Sequence, residues 1–108
     1  MSLSLPAPVA AYLAAEKAKD ADGIASCFAA DGRVRDEGRE HRGRDAIRAW
    51  KREADEKYRY VVEPLGASQD GPAVTLRARV AGEFPGSPVE LDFRFTLADG
   101  GIASLEVG

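Results

Sequence analysis

The sequence is poor in the residues that usually carry chemistry. It has one cysteine, Cys27, and one histidine, His41. A lone cysteine closes no disulfide within the chain, which suits a reducing compartment, so the expected location is the cytoplasm. One His and one Cys do not make a zinc site. No apolar run approaches the roughly 20 residues that cross a bilayer. The opening stretch MSLSLPAPVAAYLAA lacks a basic start and is interrupted by Pro6 and Pro8, so it does not read as a signal peptide. Basic charge is not in excess either: 15 Lys and Arg face 18 Asp and Glu, for a net charge of −3. That argues against nucleic acid, whose phosphates demand a Lys/Arg stripe. Arg33, Arg35, Arg39, Arg42, Arg44 and Arg48 interleave with Asp31, Asp36, Glu37, Glu40 and Asp45, and read as a solvated mixed-charge surface. Repeats, linkers and low-complexity segments are missing too. With 108 residues, a single domain over 1–108 is expected.

What is there reads as helices first and strands after. Met1 to Pro6 is a lead-in. Val9, Tyr12, Leu13 and Glu16 then fall at helical spacing, with Val9, Tyr12 and Leu13 as the apolar stripe. Lys17 and Lys19 come late in that helix, where cations suit the dipole. Asp20 is an N-cap for a second, short helix with the stripe Ile24, Cys27 and Phe28. Asp31-Gly32 is expected to end it, with the glycine in a left-handed turn. On that stripe Cys27 reads as a small core residue. Val34 and Asp36 follow on one face of a short strand, with Arg33 and Arg35 on the other. Gly38 breaks the strand, and His41 falls in a loop that runs to Gly43. Gly43 opens a third helix, with Ala46, Ile47, Trp50 and Ala54 inward and Arg48, Lys51, Arg52 and Glu53 outward.

After Lys57 the texture changes to β-branched and aromatic runs separated by turn signals. The runs are Tyr58 to Ala67, Ala73 to Phe84, Val89 to Leu97 and Ile102 to Val107. Val74, Leu76, Ala78 and Val80 alternate with Thr75, Arg77 and Arg79. Leu91, Phe93, Phe95 and Leu97 alternate with Asp92, Arg94 and Thr96. One sheet face is therefore apolar and receives the helices. Long strands with short turns imply an antiparallel sheet, and the fold class is α+β, with a curved sheet wrapped on the helices.

Tyr12, then DADGIASCFAADGRVRD, RGRDAIRAW and DFRFTLADGGI, in that order, resemble the nuclear-transport-factor-2-like superfamily. The SnoaL-like and ketosteroid-isomerase-like branch is the most similar. The resemblance covers nearly the whole chain and implies a cone. Three helices pack into a strongly bent, mostly antiparallel mixed sheet, and the open end of the cone is a pocket. It implies a small apolar or carbonyl-containing ligand, with no metal and no cofactor. Asp36 falls on the position of the base that takes a proton next to a carbonyl. Tyr12 falls on the hydroxyl that donates to the oxygen turning negative. Phe28, Val34, Trp50, Leu91 and Phe93 fall around that pocket, with His41 near the rim.

The family's second acid falls on Asp92 by ungapped counting back from Ile102, or on Leu91 when Phe93-Arg94-Phe95 is matched to the family's similar run. Pattern favours Leu91 inward. Turning Asp92 in would turn Phe93 and Phe95 out, at a cost of several kcal/mol of lost burial, unless a bulge intervenes. Glu37 stands where the isomerases commonly have a proline. Each candidate has a second reading. Asp36 is either a base or a carboxylate at the cone mouth that binds water or an arginine. Tyr12 is either a ligand donor or a core tyrosine, and His41 either a catalytic or an exposed loop residue. Arg77, Arg79 and Arg94 form either a solvated face or the surface of a homodimer paired through the sheet. The scaffold hosts enzymes and plain binding modules alike.

Overall fold

A computed structural model of the chain describes residues 5–108, so the first four residues of the lead-in expected over Met1 to Pro6 lie outside the described residues. Three helices, α1 (Ala7–Lys17), α2 (Ala21–Ser26) and α3 (Arg44–Tyr58), pack on one six-stranded sheet. Its strands are β1 (Phe28–Asp36), β2 (Arg39–Arg42), β3 (Val61–Asp70), β4 (Ala73–Ala81), β5 (Val89–Ala98) and β6 (Gly101–Val107), in the order β2-β1-β6-β5-β4-β3. β1 and β6 run parallel, and every other neighbouring pair is antiparallel. The register shifts between Phe28 and Arg33, between Pro64 and Gly66, and between Thr96 and Leu97. Such irregularities add local twist, and three of them curl the sheet around the helices. This is the α+β architecture that the sequence pattern implies. Among the described residues no helix is long and apolar enough to cross a membrane.

The alternation read along β4 and β5 is the core. Val74, Leu76, Ala78, Phe93 and Phe95 are buried on the helix side, while Arg77, Arg79 and Arg94 are exposed on the other. Tyr12 from α1 completes that core, with its ring edge-on to Phe28 at 6.3 Å and to Phe95 at 5.2 Å. Asp20 caps α2, accepting the Gly23 N–H at 3.0 Å.

Four local expectations are corrected. First, α2 stops at Ser26, and Phe28 already belongs to β1. The reason is tertiary: the Ile102 N–H donates to the Cys27 carbonyl at 2.9 Å, drawing the backbone into the ladder with β6. Gly32 is then no turn residue. It is buried within β1, where a Cβ would meet the Ala29 oxygen and the Phe28 Cβ, each at 3.0 Å. Second, the loop expected before Gly43 is a hairpin. Glu37 and Gly38 have φ of 53° and 74°, the primed turn that matches strand twist, and His41 sits in β2 opposite Val34. Third, Tyr58 ends α3 rather than opening a strand, and Arg59 closes that helix with φ of 46°. Fourth, Lys51 is not on an outer face but is fully buried.

Candidate functional site

A cavity of about 510 Å³ opens between the C-terminal half of α3 and the ends of the strands beside it. α3 contributes Trp50, Ala54 and Tyr58. The strands contribute Val80, Val89, Leu91, Phe93 and Val107, and the segment after β4 adds Phe84 and Pro85. Asp36, at the end of β1, and Glu37, in the turn that follows, supply the carboxylates. Gly82 fixes one wall. A Cβ there would lie 2.7 Å from the Tyr58 carbonyl oxygen and 2.7 Å from the Tyr60 Cβ, so only glycine lets the end of β4 close on the end of α3.

The two carboxylates are held by neutral donors. The Trp50 indole Nε1–H donates to Asp36 Oδ2 at 3.1 Å, and the Tyr58 hydroxyl donates to Glu37 Oε1 at 2.7 Å. Neither acid has a salt-bridge partner among the described residues. Burial pushes the Asp36 carboxyl above the ordinary aspartate value, and the neighbouring Glu37 charge adds to this. The Trp50 hydrogen bond, the Glu37 backbone N–H and His41 pull the other way.

The sequence-predicted residues divide. Asp36, Trp50, Leu91 and Phe93 line the cavity, and Asp92 lies outside it, bonded to Arg77 at 3.2 Å. Tyr12, Phe28, Val34 and His41 do not line it. Phe28 and Val34 are core residues, because the pairing of β1 with β6 seats them beneath the helices. His41 lies 6.2 Å from the Trp50 ring, behind it rather than on the wall. The Tyr12 hydroxyl is wholly buried and has no hydrogen-bond partner among the described residues. Burial holds its pKa well above the ordinary tyrosine value, with Glu16 and then Asp36 adding to the effect.

Sequence reasoning missed a polar cluster under the cavity. The Lys51 ammonium donates to Glu16 Oε1 at 2.6 Å, to Asp55 Oδ1 at 2.7 Å and to the Tyr60 hydroxyl at 2.6 Å, which uses all three of its protons. Lys19 Nζ donates to Glu16 Oε2 at 3.2 Å and to the Tyr60 carbonyl, and lies 3.7 Å from Asp55. Two lysines and two carboxylates cancel in charge. Tyr60, which also lines the cavity, has its pKa driven far up, foremost by burial. The available signal was Glu16 itself, which sits in helical register with Val9 and Tyr12 on the inward face of α1.

Residues 9–105 match the family model of the SnoaL-like domain. Among functionally curated proteins none matches the chain. Several solved structures are similar. One, from Sinorhizobium meliloti and provisionally described as a polyketide cyclase, is 44% identical with a TM-score of 0.93, covering 96% of this chain and 95% of that one. A protein of ketosteroid-isomerase-like fold from Catenulispora acidiphila, solved in complex with trimethylamine, is 26% identical with a TM-score of 0.85, covering 97% and 86%. A nuclear-transport-factor-2-like protein from Cytophaga hutchinsonii is 14% identical with a TM-score of 0.79, covering 100% and 91%, a likeness of fold alone.

Proposed function

The chain belongs to the SnoaL-like domain family, and from that premise we propose that it binds a small organic molecule in its cavity and moves a proton next to a carbonyl. Asp36 is the base. Its carboxylate takes a proton from the carbon beside the carbonyl, the carbonyl oxygen gains the negative charge, and the proton returns at a second carbon. The observation that carries this reading is Asp36 itself, a half-buried carboxyl on an apolar wall, raised by burial and without a salt-bridge partner among the described residues. A raised carboxylate is the better base near neutral pH. Tyr12 is the proposed donor. Its hydroxyl is buried off the cavity wall with no acceptor among the described residues, and it reaches a ligand oxygen only if the side chains between them move aside.

Cyclising a polyketide and conjugating an unsaturated ketone both begin with this proton transfer, so the description of the Sinorhizobium meliloti protein is in line with it. The trimethylamine in the Catenulispora acidiphila protein is in line with a small organic ligand. The lone cysteine suits a cytoplasmic setting. The test is conversion of a β,γ-unsaturated ketone to its conjugated isomer, followed by ultraviolet absorbance. Asp36→Asn should lower the rate at least ~100-fold. An undiminished rate removes Asp36 from the mechanism.

A second reading has its own observation. Val61 (66% exposed) and Leu65 (47%) leave apolar surface on the edge strand β3, in the sheet whose next two strands carry the exposed Arg77 and Arg94. We propose that two copies pair over that sheet face, with or without catalysis in the cavity. Sedimentation at micromolar concentration would give a dimer, reduced to monomer by Arg77→Glu with Arg94→Glu. A monomeric wild type ends that reading.

A further inference from the structure

We propose that the cavity selects an organic ammonium ion. The charged head sits at the mouth between Asp36 and Glu37, against the rings of Trp50 and Tyr58, and the apolar body lies against Leu91 and Phe93. The inference rests on the cavity as the ligand site, not on Asp36 as a base.

The wall is one-sided in its chemistry. Its ionisable side chains comprise two acids and two tyrosines, and among the described residues no Lys, Arg or His lines it. The donors nearest the mouth are already used: Trp50 Nε1 on Asp36, and the Tyr58 hydroxyl on Glu37. The Tyr60 hydroxyl is engaged by Lys51 beneath the wall. What remains for a ligand at the mouth is carboxylate lone pairs and aromatic faces. A neutral or anionic head finds little there. An ammonium head finds both charge compensation and ring quadrupoles. The chain's own Lys57, exposed and off the cavity wall, places its ammonium 5.0 Å from the Tyr58 ring centre, and its pKa is raised by the Tyr58 hydroxyl and by the Glu37 charge, so this end of the cavity draws an ammonium.

The turn gives an independent observation. Two hairpin turns of this chain pair a positive-φ residue with a glycine: Glu37-Gly38 (53°, 74°) and Asp99-Gly100 (52°, 76°). Asp-Gly is what such a turn favours, and Asp99 supplies it. Glutamate at the same conformation is unfavourable, and strained residues of this sort collect where a side chain has a task. Here the strain carries a carboxylate to the cavity wall, where the Tyr58 hydroxyl holds it.

The test compares choline with 3,3-dimethylbutan-1-ol, which has the same shape without the charge. Binding to the intact protein is read by calorimetry and by the fluorescence of Trp50, the chain's only tryptophan. Choline should bind at least ten-fold tighter than the alcohol. Glu37→Gln should lower that ratio several-fold, Glu37→Gln combined with Asp36→Asn should bring it close to one, and Tyr58→Phe should lower it partway, all with unchanged circular dichroism. Equal binding of the two compounds by the wild type overturns the inference, and so does binding of neither at 50-fold molar excess over millimolar protein. So does a ratio left unchanged by Glu37→Gln. The ketone assay reads the other reading separately. A cation preference without isomerisation leaves this inference standing and removes the base, and isomerisation without a cation preference does the reverse.

Discussion

The cavity has acids in two places, and the structure treats them differently. Beneath it, Glu16 and Asp55 are matched by Lys51 and Lys19 at 2.6–3.7 Å, and every proton of Lys51 is placed. At its mouth, Asp36 and Glu37 meet one indole and one phenol, and no cation within salt-bridge distance among the described residues. The first set is closed. Its charges cancel, and its hydrogen bonds tie α1 and α3 to Tyr60, the residue before β3. The second is open, and half in water. A closed set of charges serves the fold, and an open set is left for something that arrives.

The largest way to break that contrast is to open the closed set. Lys51→Met removes the buried ammonium from the buried Glu16 and the partly buried Asp55, leaving them only Lys19, and should cost about 3–5 kcal/mol in urea unfolding. A loss below 1 kcal/mol would mean that the lower cluster is as solvated as the mouth. Asp36→Asn acts on the open set and should spare stability while removing turnover. The sign follows from the direction of the shift. A carboxyl raised in the folded state stabilises fully below the unfolded value of about 3.9, and that contribution is lost as pH rises through the folded value. Wild-type stability should therefore fall relative to Asp36→Asn above pH ~4, while turnover by the wild type rises over the same window. Parallel stability curves for the two proteins would contradict the raised value.

Tyr12→Phe sharpens the comparison from the core side. The unpartnered hydroxyl is a liability to the empty protein, so its removal should raise stability by about 1–3 kcal/mol. If Tyr12 is the donor, the same change lowers turnover of the ketone, so stability and rate move in opposite directions. A gain in both would return Tyr12 to the core. The smallest expected change is Glu37→Asn. It trades an exposed hydrogen bond for a residue better suited to positive φ, and should shift stability by no more than about 1 kcal/mol either way. The choline preference should nevertheless fall several-fold, as read by the same titration.

The layers of the fold were legible because they follow from period. Val74, Leu76, Ala78 and Val80 alternate with polar residues, and so do Leu91, Phe93 and Phe95, which also places Leu91 inside and Asp92 outside. Asp36 was legible from its place beside Val34. What escaped was anything decided between distant segments. β6 captures residues from Phe28 onward, which no local pattern in 20–36 reveals. Lys51 stands between Trp50 and Arg52 on a charged helix, and pattern alone turns it outward. Only Glu16, 35 residues earlier, gives its ammonium a reason to go in. The gap between Tyr12 and the cavity wall depends on side-chain depth, which periodicity does not report.

The position of β6 between β1 and β5 has a consequence for how the chain is made. Until residues 101–107 leave the ribosome, the β1–β2 hairpin and the β3–β4–β5 meander share no ladder, and each half shows a raw edge. Closure of the sheet therefore waits for residues 101–107 to be synthesised. A nascent chain stalled just short of it should be held by chaperones and cut readily by proteases, while the released chain is resistant.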